Sequence, residues 1–144
     1  MKHRWSRVIV AIGLGGGLAL AAPALPAVGE HSPPSVLHIE VGDEGTILAK
    51  GAGVLVPVEV TCPAGEQAFV EVQLTQARGR HVANGFGFEE VACTGGPQVV
   101  EVLITPFGGA FKKGAALAQA RAVVCDDSFF NCEVEEDVEE IRLR

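Results

Sequence analysis

The sequence has no tyrosine, a single tryptophan and a single methionine, and fewer basic than acidic residues. The tryptophan is Trp5 and the methionine is Met1, so both lie in the first few positions. A folded domain built from the rest of the chain must therefore form its core from Val, Ala, Leu, Ile and Phe.

Sequence motifs for catalysis are also missing. The chain has no Gly-x-Ser-x-Gly elbow and no His-Glu-x-x-His helix, and its glycine run at 13–17 lies in the N-terminal segment. The histidines beyond the N-terminal segment are His31, His38 and His81, and none belongs to a recognisable catalytic motif. We predict a protein that is not an enzyme and has no catalytic residues.

The N-terminus has the three parts of a secretory signal peptide. Residues 2–7 are mostly basic, an apolar run covers 8–22, and small residues follow up to Ala27. The run is short and rich in glycine, whereas a membrane-spanning helix needs about 20 apolar residues. We predict a signal peptide over 1–27, with Ala24 as the alternative cleavage position, and a secreted, extracellular product with no membrane insertion after cleavage.

Removal of this signal peptide leaves a strongly acidic chain. Eight basic and all 18 acidic residues remain, which gives a net charge of −10. Nucleic acids and anionic lipid surfaces require a basic face, so we predict that the chain binds neither. The remaining length suits one core, and we predict a flexible lead over 28–35 and a single, monomeric domain over 36–144.

All four cysteines lie after the signal peptide, and an even count in an exported chain predicts two disulfides. No Cys-x-x-Cys pair or neighbouring histidine indicates a metal site, and we predict no metal or other cofactor. Four cysteines allow three pairings. We favour Cys62 with Cys93 and Cys125 with Cys132, because the second pair brackets a turn, while an immunoglobulin-like bond from Cys62 to Cys125 stays open.

Apolar residues alternate with polar ones along most of the chain, and turn signals recur about every ten residues, which is typical of sandwiches and barrels. Short strands are predicted at 36–41 and 46–50. In the strand up to Cys62 the even positions face inward, and Pro57 predicts an edge or a bulge. The segment 81–93 is predicted as one strand bent at its two glycines, 85 and 87, where the inward parity switches.

Two segments have ambiguous patterns. The alanines at alternate positions of 115–125 are compatible with a helix, but the alternation and the short distance to Cys132 favour a strand. In the last segment, Val134, Val138 and Ile141 have helical spacing, whereas the final four residues alternate. We predict a strand with a bulge over 133–144. The fold class is therefore all-β, and we expect an antiparallel sandwich of about 7–9 strands.

Four segments carry a resemblance: Val60–Gly65, Leu74–Gln76, Ala110–Gly114 and Cys125–Cys132. Together they resemble a group of small exported actinobacterial proteins without an assigned activity, over most of 53–144. The resemblance implies an immunoglobulin-like sandwich. The closely spaced second cysteine pair is also similar, more distantly, to that of the neocarzinostatin-type apoproteins, which hold a small chromophore. The first closely spaced pair of that family has no counterpart here.

The strongest candidate site is the segment Cys125–Cys132, which we call the stapled loop. Phe129 and Phe130 lie between its cysteines, where a turn is otherwise polar. Exposed rings on a constrained loop lose little entropy on binding, which favours a recognition surface that includes Asp126 and Asp127. The alternative is that one or both rings fold back and close the end of the sandwich.

Carboxylates in this loop and in 133–137 are suitable ligands for Ca²⁺, but no EF-hand pattern is present and we predict no metal site. The sequence thus predicts a secreted, non-enzymatic binding module whose partner is an extracellular protein or a small ligand. Two alternatives remain open, an inhibitor of an extracellular hydrolase and a carrier of a small apolar ligand.

Overall fold

The computed structural model describes residues 37–126 and 129–144, and within them the chain is all-β, as predicted. A short 3₁₀ helix, Ala49–Gly51, lies between the second and third of eight strands. The strands are β1 His38–Val41, β2 Glu44–Leu48, β3 Gly53–Thr61, β4 Gln67–Arg78, β5 His81–Ala92, β6 Gln98–Pro106, β7 Gly114–Cys125 and β8 Cys132–Leu143.

The eight strands form one sheet that closes on itself. Strands β1, β3 and β6 make one layer, and β8, β7, β4 and β5 make the other. β2 joins the layers because it pairs with both β3 and β8, and β6 joins them again through a short pairing with β5. The β2–β8 pairing is parallel, so the predicted purely antiparallel arrangement is wrong at this position. Hairpin connections fix the directions of β2 and β8 independently, and the two strands then meet side by side.

The core consists of the inward rows of the strands. In β3 the even positions from Val54 to Val60 are fully buried, and so are those from Ala68 to Leu74 in β4. For β3, this burial confirms the inward parity predicted from the sequence. β7 is a strand whose buried row consists of alanines at 116–122, which confirms the choice of strand over helix. The small side chains of this row leave room for the larger residues of the facing layer.

β5 does not bend at its glycines, and the predicted switch of parity is wrong. Its register with β4 is continuous, and buried positions remain odd at Ala83, Gly85, Gly87 and Val91. The glycines are required because β6 crosses close to the inner face of β5. A Cβ atom at Gly87 would lie 2.2 Å from the carbonyl oxygen of Leu103.

Pro57 lies in a central strand, and its neighbours show why this is tolerated. Its carbonyl oxygen accepts a hydrogen bond of 2.9 Å from the N–H of Gly42, which lies in the break between β1 and β2. The two polar groups of a strand residue point to the same edge, so the missing N–H of Pro57 faces this break. The predicted edge is thus a local gap, and the register with β6 continues through Glu101.

The long glycine-containing connection between β6 and β7 is tied to the barrel of strands by two side chains. Phe111 is almost fully buried, and its N–H donates to the carbonyl oxygen of Gly51 at 3.1 Å. Gln76 is also fully buried. Its Nε2 donates to the carbonyl oxygens of Lys112 and Ala115 at 2.6 and 3.2 Å, and its Oε1 accepts from the Lys112 N–H at 2.8 Å.

β8 is a single regular strand. Its register with β7 runs without interruption, so the predicted strand is confirmed and the predicted bulge is wrong. The helical spacing of its apolar residues arises because they lie on opposite faces. Val134 and Val138 are exposed on the outer face, whereas Ile141 is buried on the inner one.

Candidate functional site

Two disulfides are present, and they have the favoured pairing. One joins Cys62 to Cys93, which directly follow β3 and β5, and we call it the strand disulfide. The other joins Cys125 to Cys132, which lie opposite each other at the ends of β7 and β8, and we call it the loop disulfide. The alternative bond from Cys62 to Cys125 is therefore wrong. Disulfides persist in oxidising compartments, so both bonds fit an extracellular protein.

The stapled loop is held by hydrogen bonds as well as by its disulfide. The N–H of Asp126 donates to the carbonyl oxygen of Asn131 at 3.0 Å, and the Asn131 side-chain amide donates to the Asp126 carboxylate at 2.7 Å. The N–H of Phe129 donates to the carbonyl oxygen of Asp126 at 2.9 Å. Phe129 has a φ of 57°, in the left-handed region that bulky residues rarely adopt. The backbone of the loop is thus constrained at several points.

The two phenylalanine rings of the loop face outward. Phe129 is 73% exposed and Phe130 is 90% exposed, so the interpretation that they close the end of the core is wrong. Cys62 and Cys93 are buried at this end of the core, together with Val124.

A cleft lies on each side of the loop. Phe130 borders a cleft of about 460 Å³ that is also lined by Pro63, Glu66 and Val124. Phe129 borders a second cleft of about 400 Å³, which it shares with Gln67 and Phe69. Both volumes lie within the range of about 300–1,000 Å³ that is usual for small-molecule sites.

The structure describes one of the two acidic residues predicted for the site, Asp126, but not the other. Asp126 lines both clefts and holds Asn131, so it belongs to the loop framework as well as to its surface. Asp127 lies outside the described residues, and its role stays a prediction. Within 37–126 and 129–144, no three His, Cys, Asp or Glu side chains come together in a way that would hold a metal ion.

The two histidines in the described part of the chain lie on different strands. His38 begins β1 and is exposed, and the Nε2 atom of His81 lies 3.1 Å from the carbonyl oxygen of Ala110. In the same part of the chain, no helix is long and apolar enough to span a bilayer.

Sequence reasoning missed a group of exposed rings outside the loop. Phe69 of β4 and Phe86 and Phe88 of β5 lie on the outer face of the sheet, and Phe88 is 71% exposed. A signal for them was present, because constant parity along β5 places both of its phenylalanines outward. The assumed switch at the glycines hid this pattern.

Comparison with known proteins gives a distant structural likeness. No protein-family model and no curated protein matches the chain. Among solved structures, it is similar to AggA, the major subunit of aggregative adherence fimbriae type I from Escherichia coli. Sequence identity is 11%, the match covers 75% of this chain and 93% of that chain, and the TM-score is 0.39. A likeness of this degree carries no argument about function.

Proposed function

We propose that this protein is a secreted, non-enzymatic binding module that contacts its partner through the stapled loop. The observation that carries this proposal is the exposure of Phe129 and Phe130 between two bonded cysteines. Large apolar side chains that face water together on a folded domain mark interaction sites. Because the loop is already constrained, ordering it in a complex costs little entropy.

The proposed compartment and domain organisation rest on the sequence and on the two disulfides. The chain is exported through the signal peptide at 1–27, and the domain at 36–144 is the secreted, monomeric part. N-terminal sequencing of the protein from culture medium is expected to begin after Ala27 or Ala24. A secreted product that still begins at Met1 contradicts this organisation.

The proposed fold family is the immunoglobulin-like sandwich. Two facing layers with connections gathered at both ends support it, since such sandwiches often bind through the connections at one end. The end that carries the stapled loop also carries the connections 62–66 and 93–97. We call this the loop end of the domain. The opposite end carries the connections 49–52, 79–80 and 107–113, and we call it the far end.

The experiment that tests the loop is capture of a partner from the producer's culture medium by immobilised protein. The double variant Phe129→Ser and Phe130→Ser is expected to lose the captured partner without a change in melting temperature. The matched control is Phe107→Ser, because Phe107 is 75% exposed and lies at the far end. This control is expected to capture the partner normally. Equal capture by the double variant and the control would refute the loop as the contact surface.

Two further functions use the same region and are separated by simple assays. In the inhibitor alternative, the loop enters the cleft of an extracellular hydrolase. A panel of secreted proteases that stay fully active with an excess of the protein excludes it.

The carrier alternative draws support from the two clefts beside the loop. Absence of any small molecule after solvent extraction and mass spectrometry of the secreted protein excludes that function.

A further inference from the structure

A row of phenylalanine rings crosses the outer face of the β4–β5 pair. Phe86 and Phe88 are alternate residues of β5, and their ring centroids are 6.3 Å apart. Phe69 of β4 is paired with Glu90, the next outward residue of β5, so Phe69 is a diagonal neighbour of Phe88. Diagonal pairs of this kind lie about 7–8 Å apart, within reach of aromatic side chains.

This row continues into the stapled loop. Phe69 and Phe129 line the same cleft of about 400 Å³, together with residues 65–67. The four rings of Phe129, Phe69, Phe88 and Phe86 therefore form one surface, which we call the aromatic stripe. Outside this stripe, the described part of the chain has two more exposed phenylalanines, Phe130 of the stapled loop and Phe107, and a single buried one, Phe111.

The nearest neighbours of the stripe on the sheet are acidic or uncharged. Across the β4–β5 pair, Glu90 lies opposite Phe69, Glu71 opposite Phe88 and Gln73 opposite Phe86. The nearest basic residue in the register is Arg121 of β7, opposite Glu71. Its Nε atom lies 3.6 Å from the carboxylate of Glu136 on β8, the strand on the other side of β7, so this carboxylate partly offsets the charge of Arg121.

The charges of the domain are also segregated along its length. The three connections of the loop end, 62–66, 93–97 and 126–131, contain no Lys or Arg, and their charged residues are all acidic. The connections of the far end, by contrast, contain Lys and Arg at positions 50, 80, 112 and 113. A partner that approaches the loop end thus meets rings and negative charge together.

We infer that the aromatic stripe binds a cationic, apolar segment of an extracellular protein, in which Lys or Arg side chains alternate with apolar ones. Apolar side chains of such a segment cover the rings, and its cations lie against the carboxylates and the ring faces. A second copy of this chain is disfavoured, because 16 acidic residues outnumber eight basic ones in the described part. The inference rests on the proposed binding function and names the chemistry of the partner.

A fluorescent peptide of alternating Lys and Leu is the probe that tests this inference, with binding measured by anisotropy. Two control peptides replace Lys by Glu or Leu by Ser. The double variant Phe69→Ser and Phe88→Ser is expected to bind the Lys/Leu peptide about tenfold more weakly than the unmodified protein, while Phe107→Ser binds normally. Binding is also expected to weaken with added salt, and both control peptides are expected to bind poorly.

A second pair of variants keeps the test independent of any effect on folding. Glu71→Gln with Glu90→Gln removes charge beside the stripe, and Glu59→Gln with Glu101→Gln removes the same charge from exposed positions of the other layer. Only the first pair of substitutions is expected to weaken binding of the Lys/Leu peptide, by several-fold. Equal weakening by both pairs would mean that the peptide senses net charge alone and would overturn the inference.

Three further results would overturn it. These are an absence of binding to the Lys/Leu peptide, equal binding by the stripe and Phe107 variants, and self-association in sedimentation that the stripe substitutions abolish. The last result makes a second copy the occupant. The two proposals can fail separately. If partner capture needs Phe129 and Phe130 but ignores Phe69 and Phe88, the proposed function stands and the stripe inference does not. If capture ignores Phe129 and Phe130, the loop as the contact surface fails.

Discussion

Replacing Gln76 by leucine is the most direct test of how the far end of this domain is held together. Gln76 is fully buried on the inner face of β4, yet it is surrounded by backbone polar groups of the connection between β6 and β7. Its side chain makes three hydrogen bonds to residues 112 and 115. Leucine has a similar size and can make none of them.

The magnitude follows from what the substitution leaves behind. Two carbonyl oxygens and one N–H lose their partner, and a buried polar group without a partner costs about 1–3 kcal/mol. Part of this cost is offset by the burial of an apolar side chain and by water that reaches the exposed side of the connection. We expect Gln76→Leu to lower the free energy of unfolding by about 2–4 kcal/mol, and the melting temperature by about 10–20 °C.

Urea denaturation of the oxidised protein measures this change, and Gln73→Leu is the matched control. Gln73 lies on the same strand but on the exposed outer face, and its side chain makes only a 3.4 Å contact with Glu71. The control is expected to change stability by less than about 0.5 kcal/mol. If both variants lose the same stability, or neither does, then the hydrogen bonds of Gln76 do not hold the connection and the reasoning is wrong.

Two other substitutions test the fold. Gly87→Ala is expected to destabilise the domain by more than about 3 kcal/mol, because the added Cβ meets a backbone oxygen at 2.2 Å. The control Gly96→Ala adds its Cβ in free space and is expected to change stability little. Equal melting temperatures of the two variants in thermal melts would contradict the close crossing of β5 and β6. Replacing both cysteines of the loop disulfide by alanine is expected to cost about 2–3 kcal/mol, and the same change at the strand disulfide somewhat more, because it closes a longer loop. Urea midpoints that rank the two in the opposite order would refute this chain-entropy argument.

Alternation predicted the strands that have one face in the core. In β3, β4 and β7 every second residue is buried, and the inward rows could be read from the sequence without knowing the strand order. The pairing of the cysteines was predictable for a related reason. Two cysteines that bracket a short turn must lie opposite each other once the flanking strands pair.

The prediction of a bend in β5 failed because glycine in a strand is found both at bends and at close approaches of another strand. Gly85 and Gly87 were interpreted as a bend, but they are present because another strand passes close to β5. A local sequence pattern does not distinguish the two cases, because the crossing strand is distant in sequence. The direction of the loop rings was left open by the sequence, because two phenylalanines in a stapled turn fit both an exposed surface and a plug; the structure places them outward.

The parallel pairing of β2 with β8 has a mechanical consequence. The N–H of Arg142 donates to Asp43, the N–H of Arg144 to Gly45, and the N–H of Ile47 to Arg144, with distances of 2.8 to 3.0 Å. The chain enters the domain at the loop end and leaves it at the far end, so tension applied between its two ends runs along these strands. The three bonds then carry the load together in shear, instead of opening one after another. This geometry makes the join between the second and last strands a part of the domain that resists stretching.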